Sequence, residues 1–450
     1  MRKTIFIVSF FITMLTISTT AFCQDVDPFK DDVKDLPSFN IVIKANQKES
    51  LFKSSKVKYL IKLVNKNSEA QEGTIKIEVK TDRGKLVTGI KYEVSVAPNS
   101  ITYLKPKFTI KDPGFYDLWV TAGLSSYDDT IRNVFGVKAK EINTSIHKPA
   151  DFMDFWNNAL KELKGVDPKY SIRVDSGQST SSHNVYLVTM HSIGGGVVHG
   201  WLTVPKVGGH YPVLVGLPGY KVVLKPLYGD EFITFQFNIR PSKPHNESAL
   251  DKEWDYTLIN IDNKDNYIYR GAYMDCIRAI DFLYTFRDFG VDTSRIAVSG
   301  GSQGGALALV VAALDHRVKA CIADNPIYCD MHNLIEISER RNPIEWPINR
   351  YKTYLQQSPG LTMRNILSTM DYFDPQNFTP MIQCPVLLGL GLLDKLAPPA
   401  TIFAAYNKLS DRVKEKSETY SFYHLAHEVT TRHRKFQNQW LLEKLAFPYK

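Results

Sequence analysis

The sequence is poor in cysteine, in clustered charge and in long apolar runs, and each shortage removes a class of protein. Five cysteines stand in 450 residues. None falls into Cys-x-x-Cys or another paired ligand spacing, which argues against a structural zinc site and against a fold held by disulfides. Cys276, Cys321 and Cys384 lie in apolar runs, where a thiol packs as a small hydrophobe. Cys321 and Cys329 are near enough in sequence to bridge, but nothing demands it. The net charge is +8. Its cations are scattered, with no Lys/Arg run and no basic helix, so nucleic-acid binding is not expected. There is no phosphate loop, dinucleotide fingerprint, internal repeat or low-complexity tract, and no cofactor is expected. The one extended apolar run, Thr4 to Ile17, is too short and interrupted for a membrane span.

What is present has the make-up of an ordinary globular protein, 44% apolar and 23% charged. Arg2-Lys3, the apolar run and the small residues up to Cys23 read as a signal peptide over residues 1–23. Cleavage would leave Gln24 first and send the chain to the periplasm or outside the cell. A lipidated Cys23 is the alternative, and bulky Phe22 argues against it. Residues 24–140 then carry short alternating runs: Ile41–Lys44, Val57–Leu63, Thr74–Val79, Lys91–Val96 and Tyr116–Thr121. Turn residues separate them at near-regular spacing, which predicts an immunoglobulin-like β-sandwich. It holds no cysteine and no cluster of catalytic residue types, and its Trp119 and tyrosines are expected in the core.

From 141 to 450 strands and helices alternate. A helix capped by Asp151 is expected to run to about Leu163, burying Phe152, Phe155 and Trp156. Strands follow at Val185–Met190, Val197–Val204, Val213–Leu217, Phe232–Phe237, Ile296–Val298, Ala320–Ala323, Val386–Leu390 and Tyr420–Tyr423. Helices are expected at Tyr269–Phe286, Ala306–Leu314, Ala400–Leu409 and Thr431–Leu445, with a helical, Pro-broken insertion over about 331–370. The alternation predicts an α/β fold, a mostly parallel sheet flanked by helices.

One stretch organises that region. Ile296–Val298 reads as a strand, Ala306–Leu314 as a helix, and Gly300-Gly301-Ser302-Gln303-Gly304 joins them. Strand, Gly-x-Ser-x-Gly, helix is the nucleophile elbow of an α/β-hydrolase. Gly300 and Gly304 remove side chains that the sharp turn would drive together. A serine so presented needs a base, and the base needs an orienting carboxylate. In such folds these follow in the order Ser, acid, His, each past a later strand. Asp394 stands past Val386–Leu390 and His427 past Tyr420–Tyr423. His424 is the alternative base, and a capping role near Pro398 the alternative for Asp394. Asp324 and Asp374 lack the required position. The Gln303 N–H and the Tyr220 N–H, in the Leu217-Pro-Gly-Tyr220 loop, are the candidate oxyanion donors. The alternative for Tyr220 is a turn residue with a packing ring. His424-x-x-His427-Glu428 departs from the zinc motif His-Glu-x-x-His, and Asp262–Asn266 lacks EF-hand spacing, so no metal is expected.

Together these residues resemble the acetyl xylan esterase / cephalosporin-C deacetylase family of carbohydrate esterases, from about Lys148 to the C-terminus. The motifs that carry it are Gly200–Pro205, Tyr267-Ile-Tyr-Arg-Gly-Ala-Tyr-Met-Asp275, Gly300–Gly305, Leu392–Pro399 with Phe403–Asn407, and His427-Glu428. The resemblance implies Ser302, Asp394 and His427 as a triad, Tyr220 and Gln303 as oxyanion donors, and cofactor-free removal of acetyl groups from small acetylated sugars or xylo-oligosaccharides. It also implies ring-like homo-oligomers. Two positions depart from the family. Asn238-Ile-Arg240-Pro-Ser-Lys replaces Arg-Gly-Gln, and Ala426 replaces the glycine of Gly-His-Glu. The other readings are a serine peptidase or general carboxylesterase on the same fold, or a hydrolase-shaped binding protein without turnover.

Overall fold

The computed structural model describes residues 38–241, 255–341 and 343–446. The signal-peptide reading of residues 1–23 lies outside them. Among the described residues no helix is long and apolar enough to cross a membrane.

The period-two pattern of the first region forms strands. Strands β1 (Phe39–Ala45), β2 (Leu51–Phe52), β3 (Lys56–Asn65), β4 (Gln71–Thr81), β5 (Leu86–Val96), β6 (Ser100–Leu104), β7 (Lys107–Thr109), β8 (Gly114–Leu124) and β9 (Tyr127–Val137) form two sheets. One orders β1-β3-β6 with β7 also on β3, and the other orders β2-β9-β8-β4-β5. Alternate residues turn inward. Ile61 and Leu63 of β3, Ile75 and Ile77 of β4 and Leu118 and Val120 of β8 meet in one apolar core. Trp119 does not join it. Its neighbours Leu118 and Val120 take the inward positions, so its ring faces out beneath Lys80 and Arg132, 5.7 and 6.0 Å from the centroid.

Helix α1 (Phe152–Gly165) buries Phe152, Phe155 and Trp156 as its spacing requires. Asp151 does not cap it. Its carboxylate instead takes Lys264 at 2.7 Å and the Tyr372 hydroxyl, because two partners from distant loops outcompete the local turn.

A nine-stranded mixed sheet follows. Its strands are β10 (Ser171–Val174), β11 (His183–His191), β12 (Val197–Pro205), β13 (Tyr211–Leu217), β14 (Ile233–Asn238), β15 (Val291–Gly301), β16 (Val318–Asp324), β17 (Val386–Gly391) and β18 (Glu418–Phe422). Their order is β10-β11-β12-β14-β13-β15-β16-β17-β18, antiparallel up to β12/β14 and parallel beyond. Helices α2 (Ile268–Thr285), α3 (Gln303–Leu314), α4 (Met331–Glu339), α5 (Ile348–Gln356), α6 (Met363–Met370), α7 (Pro375–Phe378), α8 (Pro399–Tyr406), α9 (Asp411–Lys414) and α10 (Thr431–Lys444) connect and cover it. The expected 331–370 insertion is α4 to α6. β14 is buried at every residue and α3 at nearly every one, which is why neither shows a polar face in sequence.

The parallel register decides where the site lies. Leu217 pairs with Gly300, Gly301 with Asp324, Asp324 with Gly389, and Gly391 with Phe422. The strands therefore end together, and the loops carrying 218–220, 302, 394 and 427 leave one edge. The N-terminal sheets dock beside that edge. Phe115 packs on Phe403 of α8, Ser421 of β18 bonds Glu49, and Arg83 at the β4–β5 turn pairs with Glu336 of α4. Cys276, Cys321, Cys329 and Cys384 are all buried free thiols, so the conceivable Cys321–Cys329 bridge is absent.

Candidate active site

Ser302 sits between β15 and α3 with φ 59° and ψ −122°, a backbone state that a non-glycine residue adopts only under compulsion. The compulsion is local. Its N–H donates to the Asp324 carbonyl at 2.8 Å, and its carbonyl accepts from Gly305 and Ala306 at 3.0 and 3.2 Å. A Cβ on Gly300 would collide with the backbone of Gly304, and one on Gly304 with the Leu217 carbonyl. Both elbow glycines are thus required by close backbone approach.

His427 links the two other residues. Its Nε2 lies 2.7 Å from Ser302 Oγ and its Nδ1 lies 2.6 Å from Asp394 Oδ2. Asp394 is 1% exposed, and its second oxygen accepts from the Leu396 and Ala397 N–H groups at 2.8 and 3.0 Å. These donors lie in the turn before the helix that Pro398 caps, so Asp394 does not cap that helix, and its other oxygen faces His427. The Leu393 N–H donates to the Leu425 carbonyl at 2.9 Å, which ties the acid loop to the histidine loop. His424, the alternative base, is exposed and packs on Tyr423. Ala426 is not among the residues with positive φ, so alanine costs nothing in the glycine's place. The arrangement can move the serine proton onto imidazole while a buried carboxylate holds the ring.

The loop after β13 is fastened to the elbow by the Gln303 side chain. Its amide nitrogen donates to the carbonyls of Pro218 and Gly219 at 3.2 and 3.4 Å. Its oxygen accepts the hydroxyls of Tyr269 and Tyr256 at 2.6 and 2.7 Å. Burial pushes the Tyr256 hydroxyl up to about 12, which keeps it a neutral donor. The Tyr220 ring stacks on Trp346 with centroids 4.9 Å apart, and the Trp346 indole N–H donates to Asp255 at 3.2 Å. The Tyr220 hydroxyl is also held well above the tyrosine range, by burial first and by Asp255 second. Gln303 opens α3, where helix N–H groups lack intrahelical acceptors. Tyr256 and Asp255 were not singled out from sequence. Tyr269 lies in one of the resemblance-bearing motifs, and Trp346 stands in the 331–370 insertion, where the sequence assigns it no role.

Arg240 forks onto Asp275 of α2, with Nε at 2.8 Å and Nη2 at 2.6 Å, and also donates to the Ile193 carbonyl at 3.0 Å. Gly271 lies one helical turn before Asp275, and a Cβ there would occupy the space of the guanidinium. Arg240 of this changed segment is thus fixed against α2.

Among the described residues no group of three or more His, Cys, Asp or Glu side chains could hold a metal ion. In the Asp262–Asn266 loop the Asn263 side chain accepts from the N–H groups of Asp265 and Asn266, and Lys264 is paired with Asp151.

With this geometry in hand, comparison with known proteins is specific. Residues 137–237 and 242–444 match the family described as acetyl xylan esterase (AXE1). The acetyl esterase Axe7A of Xylanibacter ruminicola is 30% identical over 317 residues, covering 67% of this chain and 69% of the relative. The acetyl xylan esterase of Paenibacillus sp. R4 superposes with a TM-score of 0.59 at 26% identity, over 68% of this chain and 98% of that one. Acetyl xylan esterase 1 of Thermoanaerobacterium sp. JW/SL YS485 gives 0.58 at 24% identity over the same shares, a likeness of fold. The chain belongs to the acetyl xylan esterase family and is a carboxylic ester hydrolase of the α/β-hydrolase fold.

Proposed function

We propose that the protein removes O-acetyl groups from acetylated carbohydrates of the xylan or xylo-oligosaccharide type, with Ser302, His427 and Asp394 as its triad. The observation that carries the reading is the continuous line Ser302 Oγ–His427 Nε2 at 2.7 Å and His427 Nδ1–Asp394 Oδ2 at 2.6 Å. Ser302 Oγ attacks the acetyl carbonyl while His427 takes its proton, and Asp394 holds the resulting imidazolium. The carbonyl oxygen becomes an oxyanion facing the N–H groups of Gln303 and Tyr220. Collapse expels the sugar hydroxyl, which recovers the proton from His427 and leaves an acetyl-Ser302 ester. A water deprotonated by His427 hydrolyses that ester to acetate and free Ser302. No step calls for a cofactor.

Two structural readings accompany the functional one. Strands β1–β9 constitute an immunoglobulin-like sandwich, a reading supported by their two facing sheets and shared core. The catalytic domain begins near residue 141, and the leader over 1–23 directs the chain out of the cytoplasm.

The test is acetate release from acetylated xylo-oligosaccharides, run beside a long-chain aryl ester and a peptide panel, with Ser302→Ala as control. Acetate release by the wild type that falls by several orders of magnitude in the variant is the expected result. Activity on long acyl chains or peptides alone would replace the substrate assignment, and full activity in the Ser302→Ala variant would remove the triad.

A further inference from the structure

We infer that the outer face of the β2-β9-β8-β4-β5 sheet is a second sugar subsite, where the Trp119 ring stacks on a pyranose of a neutral oligosaccharide whose acetylated unit lies at Ser302. Residues 115, 117 and 119 of β8 share one face, opposite the one that carries Leu118 and Val120 into the sandwich core. At one end of that face Phe115 and Val134 join the core beneath the nine-stranded sheet. Further along β8, Asp117 and Trp119 have left that packed contact and are half-buried. Trp119 therefore lies on the side of the sandwich that meets the hydrolase, just past the line of contact. Arg341 connects this face to the chemistry. Its Nη1 donates to the Lys395 carbonyl at 3.1 Å, and Lys395 follows Asp394. Burial acts first on its guanidinium, and the charges of Arg132 and Asp117 on the sheet and of Asp394 in the acid loop also reach it. An oligosaccharide running past Arg341 spans both the platform and the acid loop.

The surroundings of the indole select the occupant. Trp119 stands directly across from Glu78 on β4 and Arg132 on β9. Arg132 donates to Asp117 at 2.7 Å, and Lys80 pairs with Glu78 at 3.4 Å. The two cations lie 5.7 and 6.0 Å from the ring centroid, at the border of the indole and not packed on it. Each has an opposite charge at its side, so the face does not select an ion. The Trp119 indole N–H has no acceptor among the described residues. On β5 the position facing Glu78 is Gly89, so no side chain walls the platform there. A pyranose lays its C–H face on such a ring, and its hydroxyls meet the N–H and the paired polar groups at the border. A nucleic acid or polyanion would need unpaired cations, and a protein partner an apolar patch wider than one ring.

The inference rests on the deacetylase reading for the identity of the sugar, and its test separates the two. Acetate release is compared between an acetylated xylo-disaccharide and a xylo-hexasaccharide, which alone is long enough to reach the platform. The longer substrate should have a kcat/KM about tenfold higher, through KM, as one aromatic anchor supplies. The advantage should survive about 0.5 M NaCl, because stacking is not screened. It should largely vanish in Trp119→Ala and persist in Tyr103→Ala, which removes an exposed ring from β6 of the other sheet. A melting curve checks that Trp119→Ala folds; if it does not, Trp119→Thr, with a β-branched side chain suited to a strand, carries the comparison.

Calorimetric titration with the deacetylated hexasaccharide reads the platform without turnover. Binding by the wild type that weakens about tenfold in the Trp119 variant supports the subsite even if neither substrate releases acetate, in which case the deacetylase reading alone fails. Three results would each overturn the subsite: no chain-length advantage together with no titratable binding, an advantage or affinity indifferent to Trp119, and a Trp119-dependent affinity for a proline-rich peptide equal to that for the sugar. An advantage abolished by salt would show that charge, and not the ring, holds the chain.

Discussion

The carboxamide oxygen of Gln303 accepts the hydroxyl of Tyr269 at 2.6 Å, and this bond fixes which way the whole amide points. With Tyr256 on the same oxygen, the amide nitrogen is left to face Pro218 and Gly219. The side chain of the residue after the serine thus sets the distance between the two strand-end loops that supply the proposed oxyanion donors. Gln303→Leu strands two buried hydroxyls and frees the 218–220 loop. A misplaced donor costs catalysis about a hundredfold. The loss should fall on kcat, with KM for a small aryl acetate nearly unchanged. Tyr269→Phe keeps the Tyr256 bond, so its loss should be less than tenfold. A Gln303→Leu enzyme with the wild-type kcat would show that the amide only fills space.

Asp394 uses its two oxygens for different purposes, and two substitutions should separate them. In Asp394→Asn the oxygen facing Leu396 and Ala397 can remain, while an amide faces His427 Nδ1 and favours the wrong tautomer. The rate should fall by about 10^4 with little change in melting temperature. Asp394→Ala should lose as much activity and also lower the melting temperature, because two turn N–H groups lose their acceptor. Steady-state rates and thermal melts of the two proteins decide it. Equal melting temperatures would mean that the turn does not depend on the carboxylate.

The elbow was legible in the sequence because it is local. Gly300, Ser302 and Gly304 act on one another within a single turn, and the strand before and helix after are read from the same window. Asp394 and His427 were legible through chain order, since the parallel register forces each later strand to end at the same edge. The Gln303 clamp was not legible, because its partners lie 34, 47 and 85 residues away and none of those pairings leaves a local pattern. β9 was missed because Asp128-Asp-Thr-Ile-Arg-Asn133 is too polar to alternate, although β8 pairs with it throughout. Trp119 was misread because side-chain type was weighed above its phase between Leu118 and Val120. The docking of Arg83 on α4 spans 250 residues or more and could only come from the fold.

Arg240 and Asp275 supply a stability prediction. Asp275 is fully buried, and its two oxygens are taken by Nε and Nη2 of one guanidinium. An ammonium cannot reproduce two parallel bonds from one plane. Arg240→Ala leaves a buried charge unpaired and should cost about 3–5 kcal/mol in urea unfolding. Arg240→Lys should recover only part of that. A cost below about 1 kcal/mol for the alanine variant would mean that water reaches Asp275 when the arginine is gone.

The cluster where α4 meets the Asp371–Gln376 segment should make stability fall as pH rises through neutrality. Burial, and then the nearby Asp330 charge, raise the Asp374 carboxyl to about 7, against the pull of backbone N–H groups from Asp330, Met331 and Gln376. The folded protein therefore keeps a proton that the unfolded chain releases near pH 4. Between about pH 4 and 7 the native state binds more protons, and stability declines with pH across that window. His332 acts in the same direction. Its hydrogen bond to Asp371, 2.8 Å, raises its pKa, so the stability it contributes is complete below its unfolded value and is lost as pH passes its folded one. The melting temperature should drop between pH 5 and pH 8. Asp374→Asn carries no proton to lose and keeps one carbonyl oxygen for the backbone donors, so its profile should be flatter. A wild-type melting temperature that does not change over that range, or an Asp374→Asn profile parallel to it, would mean that Asp374 is already ionised in the folded protein.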